Sequence, residues 1–214
     1  MSEQKHTIIE EIILKRKTEK VLIDPSSPIS IANPAEFNAQ VAEMIAIAGH
    51  APFHREASSI HRETLVSAVP WRFYVLGNDM CRELLSQLKS KGDSYMRGKI
   101  PMMLAAAGAL IQVTWLPDDD DLSSLKNQEH LMAASAATQN LLLAATARGI
   151  SNYWSSGGIL RQPELYEMLG MPPGELLVGS IFLFPQVTSE MRVGTGSNRG
   201  KNNPVEEWAH WVSL

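Results

Sequence analysis

The stretch Gln128 to Gly158, QEHLMAASAATQNLLLAATARGISNYWSSGG, decides the fold. Leu131 to Ala147 carries no charge, yet Ser135, Thr138, Gln139, Asn140 and Thr146 interrupt its apolar residues. A bilayer-spanning helix needs about 20 predominantly apolar residues, so this run reads as a helix buried inside a folded domain. Its alanines let neighbouring elements approach closely, and a helix this apolar must be covered on nearly all sides. It is therefore either the central helix of the domain or part of a subunit interface. The periodicity extends the helix over Ser124–Arg148, where Gly149 stops it by supplying a left-handed cap. Ile150 to Trp154 then reads as a strand. Trp154-Ser155-Ser156-Gly157-Gly158 ends that strand in a turn, where backbone N–H groups and hydroxyls can point at a ligand; an ordinary strand-ending turn is the plain alternative.

Outward from this centre, Glu175 to Phe184 (ELLVGSIFLF) is a near-continuous apolar strand suited to burial on both faces. Trp71–Gly77 and Ala109–Trp115 give two further strands. Helices are expected over Thr7–Lys17, from Asn33 to Gly49, over Asp79–Lys89 with Asp79 as cap, over Tyr95–Ala107, and over Gln162–Leu169. The second is the best marked, with Asn33 as N-cap, Pro34 in the first turn and Glu36 three residues past the cap. Pro52 to Val69 reads as an irregular connection with one short helix from Ser59. Val193–Asn203 is polar and glycine-rich, and Val205–Val212 is amphipathic. Strands separated by helices imply a mixed sheet with helices packed on it.

The chain has 214 residues, 44% hydrophobic and 20% charged, which suits one ordinary domain over 1–214. With 19 Lys and Arg against 23 Asp and Glu, the net charge of −4 offers no field for attracting nucleic acid. The single cysteine, Cys81, forms no internal disulfide, and the start MSEQKHTIIEEI is too charged for a secretory signal. A cytoplasmic protein with neither a nucleic-acid nor a membrane partner is expected. The acidic run Asp118 to Asp121 reads as a solvated loop.

No P-loop, GxGxxG, GxSxG, HExxH or CxxC motif is present. Two basic clusters remain: Lys15, Arg16, Lys17 and Lys20 with the Thr18 hydroxyl near one end, and Arg192, Arg199 and Lys201 near the other. A phosphomonoester wants guanidinium forks, an ammonium and a hydroxyl within one small volume, and the two clusters would supply it if they met. Solvated charges at a helix C-terminus are the bland alternative. His50 and His54 sit four apart around a proline; zinc would need further well-spaced ligands.

The order of these features resembles the FMN-dependent nitroreductase-like flavoproteins, most closely the small minimal members. The resemblance rests on LKRKTEK (14–20), on AIAGHAPFH followed by VPWRFYVLG, on the 128–158 stretch, and on LLVGSIFLFPQ. It implies an α+β nitroreductase-like fold: a mixed, mostly antiparallel sheet with helices on both faces, forming a homodimer with two FMN sites between the chains. It also implies that Arg16, Lys17 and Thr18 hold the FMN phosphate and ribityl end, with Arg199 or Lys201 closing the site. His50 and His54 would contact FMN, His54 from the partner subunit. Trp154, Ser155 and Ser156 would lie beside the isoalloxazine, where a backbone N–H can bond flavin N5, and Gly157 would permit close approach. Lys20 and His50 are the candidates for stabilising negative charge on reduced flavin.

The activity this implies is ping-pong hydride transfer from NADH or NADPH through FMN to a small-molecule acceptor such as a nitroaromatic or quinone. A dehalogenase, a dehydrogenase or a flavin-binding and storage protein of the same fold are the alternatives. This chain departs from the family in having Val69 before Pro70-Trp71, an enlarged loop over about 53–69, and Phe184-Pro185 without a preceding glycine.

Overall fold

The computed structural model describes residues 2–62, 66–198 and 204–213, with side chains from residue 7 onward. Its helices are α1 (Ser2–Lys15), α2 (Pro34–Ala48), α3 (Asn78–Lys91), α4 (Ile100–Ala106), α5 (Leu125–Ala147) and α6 (Pro163–Met168). Its strands are β1 (Glu19–Leu22), β2 (Trp71–Gly77), β3 (Ala109–Trp115), β4 (Ser151–Ser155), β5 (Leu176–Phe184) and β6 (Arg192–Thr195).

Four strands form the central sheet in the order β2-β3-β5-β4, and β1 pairs with β6 in a separate ribbon. Every pairing among the described strands is antiparallel, the fullest form of the mostly antiparallel sheet expected. Helices cover both sheet faces. On one, Ile111, Val113, Ile181 and Leu183 pack against Phe37, Val41 and Met44 of α2 and Leu141 and Leu142 of α5. On the other, Leu110, Phe182 and Phe184 meet Leu84 and Leu88 of α3, Met103 and Leu104 of α4, and Leu165 of α6.

Local chemistry explains most boundaries. The Asn33 side chain accepts from the Glu36 N–H at 3.3 Å and donates to the Glu36 carboxylate at 2.9 Å, capping the start of α2. Ser124 caps α5 through the Asn127 N–H, and Gly149, at φ 71°, turns the chain away after it. The acidic loop is more ordered than a solvated charge run. Buried Asn127 donates to the carbonyl oxygens of Asp119 and Asp121 and accepts from the Asp118 N–H at 2.7 Å.

Several expectations need correction. The helix expected over Tyr95–Ala107 begins only at Ile100, because Pro101 is tolerated only in a first turn and Gly98, at φ 84°, breaks the chain before it. Asp79 does not cap α3. That helix starts one residue earlier, its N-cap Gly77 has no side chain to offer, and Asn78 turns inward to donate to the Ala107 carbonyl at 2.9 Å. The amphipathic segment at Val205–Val212 keeps one 3-10 turn, Val205–Glu207. The ribbon of β1 and β6 goes beyond the sequence expectations: Glu19–Leu22 follows the expected first helix as a strand, and the polar, glycine-rich segment from Val193 begins inside its partner strand.

The described residues of the loop between α2 and β2 are pinned at several points. Arg72, 4% exposed on β2, donates to the carbonyl oxygens of Val69 and Trp71 (both 2.8 Å), His61 (3.0 Å) and Ser67 (3.1 Å). Arg62 holds the Ala57 carbonyl, and the His61 ring bonds the Pro117 carbonyl at 2.6 Å. The short helix expected from Ser59 is a 3-10 turn, Ser59–Arg62.

Candidate functional site

The ribbon brings the two ends of the chain together. Its register sets Glu19 opposite Thr195 and Lys20 opposite Gly194, and beyond the last pair the Gly196 N–H donates to the Thr18 carbonyl at 3.2 Å. The main chain carrying Arg16, Lys17 and Thr18 therefore lies against the segment leading to Arg199 and Lys201. Arg199 and Lys201 themselves fall outside the described residues. Arg16 is half-buried just past the end of α1, its N–H bonded to the Ile12 carbonyl at 2.9 Å. Lys17 is exposed and ion-paired with Glu19 at 3.1 Å, a surface pairing that gives about 0–1 kcal/mol and exchanges readily.

Lys20 links this ribbon to the central sheet: its Nζ lies 4.8 Å from the centroid of the Tyr153 ring on β4. Two residues along the same strand, and so on the same face, Ser155 ends the ladder opposite Ser180. The turn that follows is tightly built. Gly157 adopts φ 103°, a region that favours glycine. A Cβ there would lie 2.7 Å from Leu177 Cδ2 and 3.1 Å from Arg161 Cγ. The Gly157 N–H donates to Ser155 Oγ at 3.2 Å, and Arg161 Nε donates to the Ser156 carbonyl. Trp154 points to the opposite sheet face, over Gly179, where an added Cβ would come within 2.2 Å of the indole nitrogen.

Ile100, the first residue of α4, lies 3.6 Å from the position a Cβ would take at Gly158, so the start of α4 packs against this turn. Beside the turn opens a groove of about 990 Å3 lined mainly by Trp115, Tyr166, Met171 and Leu177, with Arg161 at its edge and Glu175 in its wall. Burial raises the pKa of the Tyr166 phenol, while its bond from the Leu177 N–H and the charge of Arg161 oppose the shift. Glu175 is buried and accepts from Thr114 Oγ1 at 2.5 Å.

His50 and His54 lie elsewhere in the single chain. His50 lines a groove of about 460 Å3 between α1, α2 and α5 with Ile9, Ile13 and Ile47. His54 faces the first half of α5, beside Glu129 and Met132. Within one chain, then, Thr18, Lys20 and the Ser155–Gly157 turn gather around β1 and β4, while the two histidines occupy the outer side of α5.

The donor set fits an anionic mononucleotide: a hydroxyl and several cations at the ribbon, then a glycine turn where a Cβ would have no room. No helix among the described residues is long and apolar enough to cross a membrane. The chain is 23% identical over 176 residues to a Bacillus subtilis protein named "Putative NAD(P)H nitroreductase YfhC", covering 79% of this chain and 80% of that one. It shares its fold with a nitroreductase-like family protein from Bacillus cereus, at TM-score 0.63, 20% identity and 96% coverage of both chains. A nitroreductase with bound FMN from Bacteroides fragilis aligns at TM-score 0.54 and 21% identity, covering 84% of this chain and 88% of that one. The profile of the Nitroreductase family matches residues 38–183, so this chain belongs to that family.

Proposed function

We propose that the protein is an FMN-dependent oxidoreductase that takes hydride from NADH or NADPH and reduces a small nitroaromatic or quinone-type acceptor. The observation that carries this reading is the bond from the Gly196 N–H to the Thr18 carbonyl, which joins the two basic segments beside the strand ending at Ser155. The relatives named above, one with bound FMN, support it. Bound FMN would supply the redox chemistry, accepting hydride at N5 and passing it on in a second half-reaction.

The chain's own residues bind and orient. Arg16, Lys17 and Thr18, with Arg199 or Lys201, hold the phosphate and the ribityl end by charge-assisted hydrogen bonds. The Ser155–Gly157 turn presents a backbone N–H toward flavin N5. Lys20, held over the Tyr153 ring, supplies positive charge to the reduced state. The acceptor draws its proton from water, so no side-chain acid is required. His50 and His54, on the outer side of α5, reach flavin across a homodimer interface, His54 in the partner subunit's site. The single buried cysteine is consistent with a reducing cytoplasm.

The test begins with the visible spectrum of the purified protein with added FMN; a colourless sample that ignores FMN overturns the flavin reading. Arg16→Ala combined with Arg199→Ala is expected to weaken FMN binding at least tenfold by titration. An affinity within threefold of the parent, about 0.7 kcal/mol, sinks the phosphate assignment. Stopped-flow mixing with NADH or NADPH should bleach the flavin and a quinone should restore it, whereas absence of bleaching favours a flavin-storage protein.

A further inference from the structure

The peptide between Ser156 and Gly157 is held at both of its polar atoms. Its carbonyl accepts from Arg161 Nε, and its N–H donates to Ser155 Oγ at 3.2 Å. Gly157 sits at φ 103°, and Leu177 Cδ2 lies 2.7 Å from where a Cβ would project, so the turn admits only glycine at this position. Leu177 is buried, and its main-chain N–H donates to Tyr166 Oη at 2.9 Å. The aliphatic stem of Arg161 closes the remaining side, 3.1 Å from the same position.

A turn with one gripped atom can rotate its peptide about the flanking bonds, whereas a turn gripped at both ends presents its neighbours in one orientation. The neighbour here is the amide of Ser156, an exposed residue just beyond the last ladder pair, Ser155 with Ser180. We infer that Arg161 is a positioning residue: by gripping the Ser156 carbonyl it locks the Ser156–Gly157 peptide, and with Ser155 held in the ladder on the other side this fixes Ser156 between two anchored peptides and its N–H in one orientation. A guanidinium suits the task, since it is always charged and its bond to a carbonyl is roughly twice as strong as a neutral one. The identity of the group this N–H meets, the flavin N5 edge, rests on the function proposed above; the lock itself does not.

Arg161→Met keeps the stem beside Gly157 and removes the donor, and Arg161→Lys restores a charged donor. Amide exchange by NMR on the full-length, flavin-free protein gives the first readout. In Arg161→Met the Gly157 N–H is expected to exchange at least tenfold faster at unchanged melting temperature, with Arg161→Lys within threefold of the parent. Unchanged Gly157 exchange, or faster exchange that merely follows a fall in melting temperature, overturns the lock. The second readout is the midpoint potential of the FMN-loaded protein. Arg161→Met should move it by about 30 mV or more, a tenfold change for a two-electron couple, while FMN affinity, set at the phosphate end, changes less than threefold. Faster Gly157 exchange with an unmoved potential overturns the assignment of the amide to flavin. Failure to bind FMN at all would instead count against the proposed function and leave the exchange result to judge the lock.

Discussion

Cys81 lies buried on α3 with its thiol 3.6 Å from the Leu76 carbonyl oxygen. Burial pushes its pKa from the ordinary 9.0 up to about 12, with Arg82 pulling weakly the other way. The folded state thus keeps a proton that the unfolded chain releases near pH 9. The stabilisation is complete below pH 9 and is lost as pH climbs toward 12. By pH 10 this one group should remove about 1.4 kcal/mol of stability. Urea unfolding at pH 8 and pH 10 is expected to show that loss in the parent and not in Cys81→Ala; equal losses in both would reject the assignment. At the same scale, the requirement for glycine at 157 comes from its positive φ and the 2.7 Å from an added Cβ to Leu177, and neither is readable from the string WSSGG.

Among the elements, the loop between α2 and β2 and the β1–β6 ribbon show where local reading stops. The irregular course of the loop is legible in the sequence, but its anchor is not. Arg72 looks like an ordinary outward position in a strand, yet it is buried and gives four hydrogen bonds to carbonyl oxygens. Burial lowers its pKa, and the charge of Glu175 acts against that. Arg72→Met leaves those carbonyls unpaired and removes a buried charge from beside Glu175. A loss of about 3–5 kcal/mol in chemical denaturation is expected, together with faster proteolysis within 57–69; unchanged cleavage would show that the loop is held by other contacts. The ribbon escaped because each strand is four residues long, too short for a period-2 pattern to register. Its existence depends on a partner more than 160 residues away, whereas α2 and α5 carry their caps within their own sequence.

At the scale of the whole molecule, apolar side chains remain uncovered in one chain. Ile8, Ile9, Ile13 and Leu14 on α1 are exposed, as are Ile47, Met132 and Trp208, and Trp211 is 100% exposed. The central helix that composition required to be covered on nearly all sides still has grooves along it, at Asn140, Leu143 and Ala147 and at Met132 and Ala136. A second copy of the chain would cover such surface, and stable interfaces bury about 1,200–2,000 Å2. Sedimentation at micromolar concentration is expected to give a dimer, and removal of residues 204–214 should weaken both association and flavin retention. A clean monomer that keeps its flavin would contradict the shared site.

The amino-acid sequence alone determined the central helix and its glycine stop, the capped second helix, the three long strands and the residue types suited to an anionic cofactor. These depend on interactions within a few residues: side-chain caps, left-handed glycines and runs of apolar side chains. Only the tertiary structure decided that Thr18 meets Gly196, that Lys20 lies over Tyr153, that Ile100 packs against the turn, and that the two histidines stand apart from it. Those contacts depend on which distant strands pair and which helix packs beside them, and that is settled by burial across the whole core.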